Sequence, residues 1–203
     1  VIVAEALGRI SASLAVDVVF RAFLLPAVLV ACGSDEQRSR WLPELATGKI
    51  AGTVLIEPTP IEEEEGAASL SAIRAERDKQ GWKLEGDANW VINGQATCLA
   101  CLFARSSEGL KGFLVTPGLE GMKVSPVVQK LGLRPVNFAQ WSFDSGVSLL
   151  PFSAGLDAKE GTRRNLRWLA DLFLAAIVVG LTQNCLGAVS YTHLRAHETD
   201  SYL

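Results

Sequence analysis

The chain divides into three stretches by the period of its apolar positions. Through the first fifty residues apolar side chains recur every three to four positions, as on one face of a helix. Val3, Leu7, Ile10 and Leu14 predict an amphipathic helix to about residue 16. A second, more apolar helix is predicted from Asp17 to Cys32, bent or divided at Pro26 and capped by Gly33. Ser34-Asp35-Glu36-Gln37 reads as a capping box opening a third, with Ser34 at the N-cap and Gln37 reaching back. Pro43 and Gly48 close this helical opening.

From Ile50 the period falls to two. Thr53 and Leu55 alternate with Val54 and Ile56 on a strand that runs into Glu57-Pro58, where the missing proline donor ends pairing. Ile73–Glu76, Trp82–Glu85, Trp90–Ile92, Cys98–Ala104, Gly112–Thr116, Lys123–Val128 and Ala139–Phe143 follow as short strands. Turns are predicted at Asp78–Gly81, Gly86-Asp87 and Asn93-Gly94. Many short strands with regular turns predict an antiparallel barrel or sandwich. After Pro151 the helical period returns, and residues 159–189 read as one long helix interrupted in pattern only by Gly180. The predicted class is α+β: a partial N-terminal helical domain (1–50), a β-domain (51–151) and the first helix of a helical bundle (152–189). Helices, strands and then a helix that stops lead to the expectation of a fragment.

Composition narrows the possibilities. Of 203 residues 49% are hydrophobic, enough for a sizeable core, and the net charge of −3 comes with no basic block, which argues against a nucleic-acid partner. The apolar runs at Ala22–Cys32 and Leu172–Leu181, about eleven and ten residues, fall short of the roughly twenty a bilayer span requires, so a soluble, cytoplasmic protein is expected. Cys32, Cys98, Cys101 and Cys185 read as reduced core thiols. Cys98-x-x-Cys101 lacks the second pair that a structural zinc site needs. Both His and both Tyr lie in residues 190–203, which drop the earlier pattern and are set aside as a non-native tail. His193 and His197 have i,i+4 spacing without the glutamate of H-E-x-x-H, so no metal is expected there.

Six segments in order resemble the acyl-CoA dehydrogenase family across residues 1–189. These are Ala4–Leu7; Gly33–Gln37 with Leu42–Gly48; Glu57-Pro58; Asn89–Asn93; Lys130-Leu-Gly-Leu-Arg134; and Phe143-Asp144 leading to Pro151. The resemblance implies an N-terminal helical domain, a central β-domain and a C-terminal four-helix bundle. Flavin adenine dinucleotide (FAD) would lie between the last two and acyl-CoA would be the substrate, in a homo- or hetero-oligomer joined through the C-terminal helices. It assigns Thr53, Leu55 and Ile56 on the first strand, and Trp90, Val91 and Ile92 on another, to the cofactor. The Trp90 indole would cover a ring face; as a strand aromatic it could equally be ordinary core.

Departures from the family pattern accompany these matches. Ile56 and Ile92 stand where threonine is usual, so two hydroxyl donors are lost. Glu62, inside the run Glu62–Glu65, takes the place of a serine at the substrate entrance; that run would repel polyanionic CoA or else form a solvated loop face. Asp171 stands where an arginine is common, and the catalytic base is expected downstream of Leu203. The implied activity is oxidation of an acyl-CoA thioester to the 2-enoyl-CoA. The alternative is an FAD-deficient, non-catalytic partner subunit of a heteromeric acyl-CoA dehydrogenase.

Overall fold

The computed structural model describes residues 1–55, 73–78, 81–148, 154–156 and 160–200. The element order is α1 (Ile2–Ile10), α2 (Ala12–Val18), α3 (Leu25–Cys32), α4 (Asp35–Ala46), β1 (Gly52–Val54), β2 (Arg74–Asp78), β3 (Gly81–Ile92), β4 (Leu99–Ser106), β5 (Gly109–Val115), β6 (Met122–Val124), β7 (Phe138–Ser148), β8 (Ala154–Leu156) and α5 (Glu160–Asp200).

The predicted first helix is two. Ser11 is extended, with φ −161°, and its hydroxyl accepts from Leu14 N, so it caps α2 and ends α1. Between α2 and α3 the backbone widens into a π-helical turn, Val19–Leu24. That turn precedes Pro26 in the first turn of α3, where a missing N–H costs nothing, so the run passes the proline without breaking. The capping box of α4 forms as read: Ser34 Oγ accepts from Gln37 N at 3.1 Å, and Ser34 N donates to Gln37 Oε1 at 2.9 Å. Pro43 lies inside α4, and the left-handed Gly48 (φ 69°) turns the chain beyond it.

The strands form a curled eight-stranded sheet in the order β6-β7-β3-β2-β4-β5-β8, with β1 on β4. The antiparallel expectation needs correction, because β1 and β2 each pair parallel with β4. Gly86-Asp87 is not a turn: β3 runs through it unbroken, and Gly86 (φ 119°) marks a register slip on β7.

Strand β4 explains how the two layers join. Leu99, Cys101 and Phe103 face a core shared with α1–α3 and α5, whereas Ala100, Leu102 and Ala104 face the interior of the curled sheet with Trp82, Phe113, Trp141 and Phe143. Its continuous apolar run is that of a strand covered on both faces. Residue Gly52 brings β1 against the helices, where a Cβ would lie 2.1 Å from Leu25 Cδ2.

Helix α5 buries Leu166, Ala170, Phe173, Ile177 and Gly180, a stripe at three- and four-residue spacing that packs on α1. Residues 181–192 are exposed, and the helix continues through the segment set aside as a tail. The stripe predicted for α1 holds only at Leu7, which is half-buried against the helical core: Val3 and Ile10 are exposed, and the buried residues are Ala4 and Gly8. Small residues let the two backbones approach, so the large apolar side chains turn outward.

Two helical stretches, Ala12–Cys32 and Arg164–Thr192, are long and apolar enough to cross a membrane, with mean hydropathies of 2.2 and 1.9. The shorter sequence-based lengths stopped at isolated charged or polar residues that these helices run through. In the most apolar eighteen residues of each, 44% are buried in the first stretch and 22% in the second.

Candidate functional site

The end of β3 is held in an unusual backbone conformation. Its register on β7 slips between Ala88 and Val91, so Asn89 and Trp90 bulge out of the ladder. Among the described residues three non-glycines have left-handed φ: Trp90 (59°), Asn93 (57°) and Leu133 (51°). All three lie around one short segment. Asn93 N donates to Asn137 O at 2.6 Å, Val136 N donates to Leu133 O at 3.0 Å, and the Trp90 ring meets Phe138 edge-on with centroids 6.2 Å apart. Each such conformation costs on the order of 1–3 kcal/mol, and clustered strain marks candidate ligand sites.

The bulge decides which side chains share a face. Ala88 and Val91 both point into the sheet interior although they are three residues apart, so Trp90 and Ile92 fall on the other face. Trp90 is 63% exposed, which excludes the core reading; the sheet tryptophans that do fill the core are Trp82 and Trp141, the latter donating through Nε1 to Gly94 O at 3.0 Å. Phe138 braces Trp90 and is itself covered by Lys130, whose Nζ lies 4.7 Å from the ring centroid and donates to Val136 O at 2.6 Å. Leu131, beside Lys130, is 99% exposed.

The six residues assigned to the cofactor therefore do not share one surface. Trp90 is presented outward, and Ile92 is half-buried on the same face against the helical core. Val91 is buried in the sheet interior, so its side chain does not reach the Trp90 face, because the bulge shifts the alternation by one residue. Thr53 is fully buried, and Leu55 belongs to the interior core while its N–H donates to Cys101 O at 2.8 Å. Strand β1 is hydrogen-bonded to β4 and not to β3. Thr53 Oγ1 has no hydrogen-bond partner among the described residues, an orphan worth about 1–3 kcal/mol until something pairs with it. Ile56, Glu57, Pro58 and Glu62 lie outside the described residues.

Three residues of this rim escaped sequence reasoning: Asp17, Asn93 and Phe138. Asn93 is 4% exposed and donates through Nδ2 to Asp17 Oδ1 at 2.5 Å, across 76 positions of chain. Asp17 also accepts from Arg21 Nη2 at 2.9 Å. The available signal was that Asp17 and Arg21 are the only charges in the apolar run Ala12–Cys32.

The thiols need a correction as well: Cys32 and Cys101 are buried, but Cys98 and Cys185 are exposed. Burial, with Cys32 nearby, pushes the Cys101 thiol far above its ordinary value of 9.0. No cluster of metal-ligating side chains occurs among the described residues.

The described residues thus define an α+β protein whose helical layer and curled sheet meet at a strained, aromatic rim. A family profile described as acyl-CoA dehydrogenase, N-terminal domain, matches residues 1–49. The mitochondrial isovaleryl-CoA dehydrogenase of Oryza sativa subsp. japonica is 26% identical over 94% of this chain and 48% of its own length. The mitochondrial short/branched chain specific acyl-CoA dehydrogenase of Bos taurus is 31% identical over 71% of this chain and 34% of its own. The crystal structure of a glutaryl-CoA dehydrogenase from Mycobacterium smegmatis in complex with FADH2 superposes with a TM-score of 0.71 at 26% identity, covering 82% of this chain and 42% of that one. The chain belongs to the acyl-CoA dehydrogenase family, as a divergent member spanning about half the length of the curated relatives it matches along most of its extent.

Proposed function

We propose that this chain forms the helical and β-sheet half of an FAD-dependent acyl-CoA dehydrogenase. The observation that carries the reading is the outward-facing Trp90, fixed in a left-handed bulge and braced by Phe138, on the strand segment that resembles the family's cofactor-facing one. A large aromatic left 63% exposed on a strained strand end is poorly explained by folding alone. Trp90 would hold the flavin through ring contact.

Bound FAD would supply the hydride-accepting chemistry that turns an acyl-CoA thioester into its 2-enoyl product. The contribution of the present residues is binding and orientation: an apolar, aromatic wall where helices and sheet meet. No described side chain is assigned as the base.

One observation favours the second reading, an FAD-deficient partner subunit: Ile92, at the rim, packs its aliphatic side chain on the helical core and offers no donor. The protein encoded by the complete reading frame separates the two. Under the first reading it purifies with bound flavin, and Trp90→Ala weakens flavin affinity by about tenfold, as loss of an aromatic contact does. Colourless protein that takes up no added FAD but associates with a flavin-bearing relative would overturn it.

A further inference from the structure

The side chain that fixes the rim from the helical layer is Asp17. Asn93 is buried and left-handed, and its hydrogen bonds tie it down on several sides: its N–H donates to Asn137 O, its carbonyl accepts from Thr97 Oγ1 at 2.8 Å and Ala96 N at 2.9 Å, and its amide Nδ2 donates to Asp17 Oδ1. Of these bonds, the one to Asp17 leaves the sheet and its loops and reaches the helices. It is charge-assisted, the stronger class of hydrogen bond.

The geometry of the helix points the same way. Asp17 stands just before the π-helical turn that begins at Val19, and Arg21, in that turn, donates through Nη2 to the same carboxylate oxygen, Oδ1, that accepts from Asn93. Widened turns of this kind recur at functional sites. The pair is partly exposed, and it lies where the apolar run passes the strained end of β3. Asn93 in turn follows Trp90 by three residues, and Gly94 N donates to Val91 O, closing the turn that ends the strand.

We propose that Asp17 is a positioning residue: by clamping Asn93 from α2 it sets the left-handed end of β3 and so the angle at which Trp90 is presented. The proposal rests on the reading of Trp90 as cofactor-facing for its functional meaning, but not for its structural content. It also makes the helical layer a determinant of cofactor affinity without touching the cofactor.

The test labels the 203-residue chain with 5-fluorotryptophan and identifies the Trp90 resonance by its loss in Trp90→Phe. Asp17→Ala is expected to shift or split the Trp90 resonance while leaving that of Trp82 unchanged. Asp17→Asn, which keeps an acceptor oxygen, is expected to restore it. Phe113→Leu, a remote core change, controls for lost stability alone and is expected to leave Trp90 in place. In the protein from the complete reading frame, Asp17→Ala is expected to weaken FAD binding about tenfold or more, the scale on which supporting residues act. A Trp90 resonance unchanged in Asp17→Ala, or moved equally by Phe113→Leu, overturns the proposal whether or not flavin binds. Failure of the unmutated protein to bind FAD overturns the proposed function instead and leaves the resonance to decide the role of Asp17.

Discussion

Cys101 shows how a single residue depends on the layer it falls in. It lies on β4 with no exposed surface, and burial holds its thiol protonated well beyond the ordinary value of 9.0. The unfolded chain releases that proton as pH rises past 9.0, whereas the folded chain keeps it. The folded state then binds more protons, so stability is complete below pH 9.0 and falls above it. The slope expected from this one group is about 1.4 kcal/mol per pH unit. Urea unfolding between neutral and alkaline pH should show it, and Cys101→Ala should flatten the alkaline fall. An equal fall in that variant would mean other groups cause it. At Trp90 the backbone decides instead: alternation continued from Leu84 and Ala88 would turn the ring inward, and the bulge at Asn89 and Trp90 turns it out.

At the scale of elements, the pairing of α1 with α5 turns on two glycines. A Cβ on Gly8 would lie 2.5 Å from Ile177 O, and one on Gly180 would lie 2.0 Å from Glu5 O. Gly180 read in the sequence as an interruption of a long helix; in the fold it is where another helix passes. Both obstructing atoms are backbone, so neither can rotate away. Gly180→Ala is expected to cost about 1–3 kcal/mol by forcing the helices apart, despite alanine's better helix propensity. The urea midpoint measures this, and a stabilised Gly180→Ala would show that the contact is not as close as described. The same pair explains why the amphipathic stripe of α1 holds only at Leu7: periodicity finds the large apolar residues, but the closest contact is made by the small ones.

For the whole molecule, the consequence is an apolar surface left uncovered. Ile2 and Ile10 of α1, and Leu172, Val178, Leu186 and Val189 of α5, are each more than half exposed. The inner face of α5 is covered, since Phe173 and Ile177 are buried against the N-terminal helices. Only its outer face stays open, and faces of this size mark interfaces. Self-association of the chain through this face is therefore expected in sedimentation at micromolar concentration, with Leu172→Lys and Val178→Lys together returning it to monomer at unchanged melting temperature. A monomeric unmutated chain, or one that instead floats with lipid vesicles, would refute association through these helices.

The sequence by itself determined the local elements and their order. The capping box at Ser34–Gln37, the change of period near Ile50 and the return to helix after Pro151 are set by side chains a few positions apart, and local patterns record them. It determined the family too, because motifs such as Asn89–Asn93 and Lys130–Arg134 survive as ordered segments. Tertiary structure alone decided which face is which. The parallel pairing of β1 on β4, the slip that separates Val91 from Trp90, the exposure of Cys98 and the bond from Asp17 to Asn93 all join residues distant in the chain. Their energies depend on what the neighbouring layer places opposite them, and no spacing along the sequence carries that information.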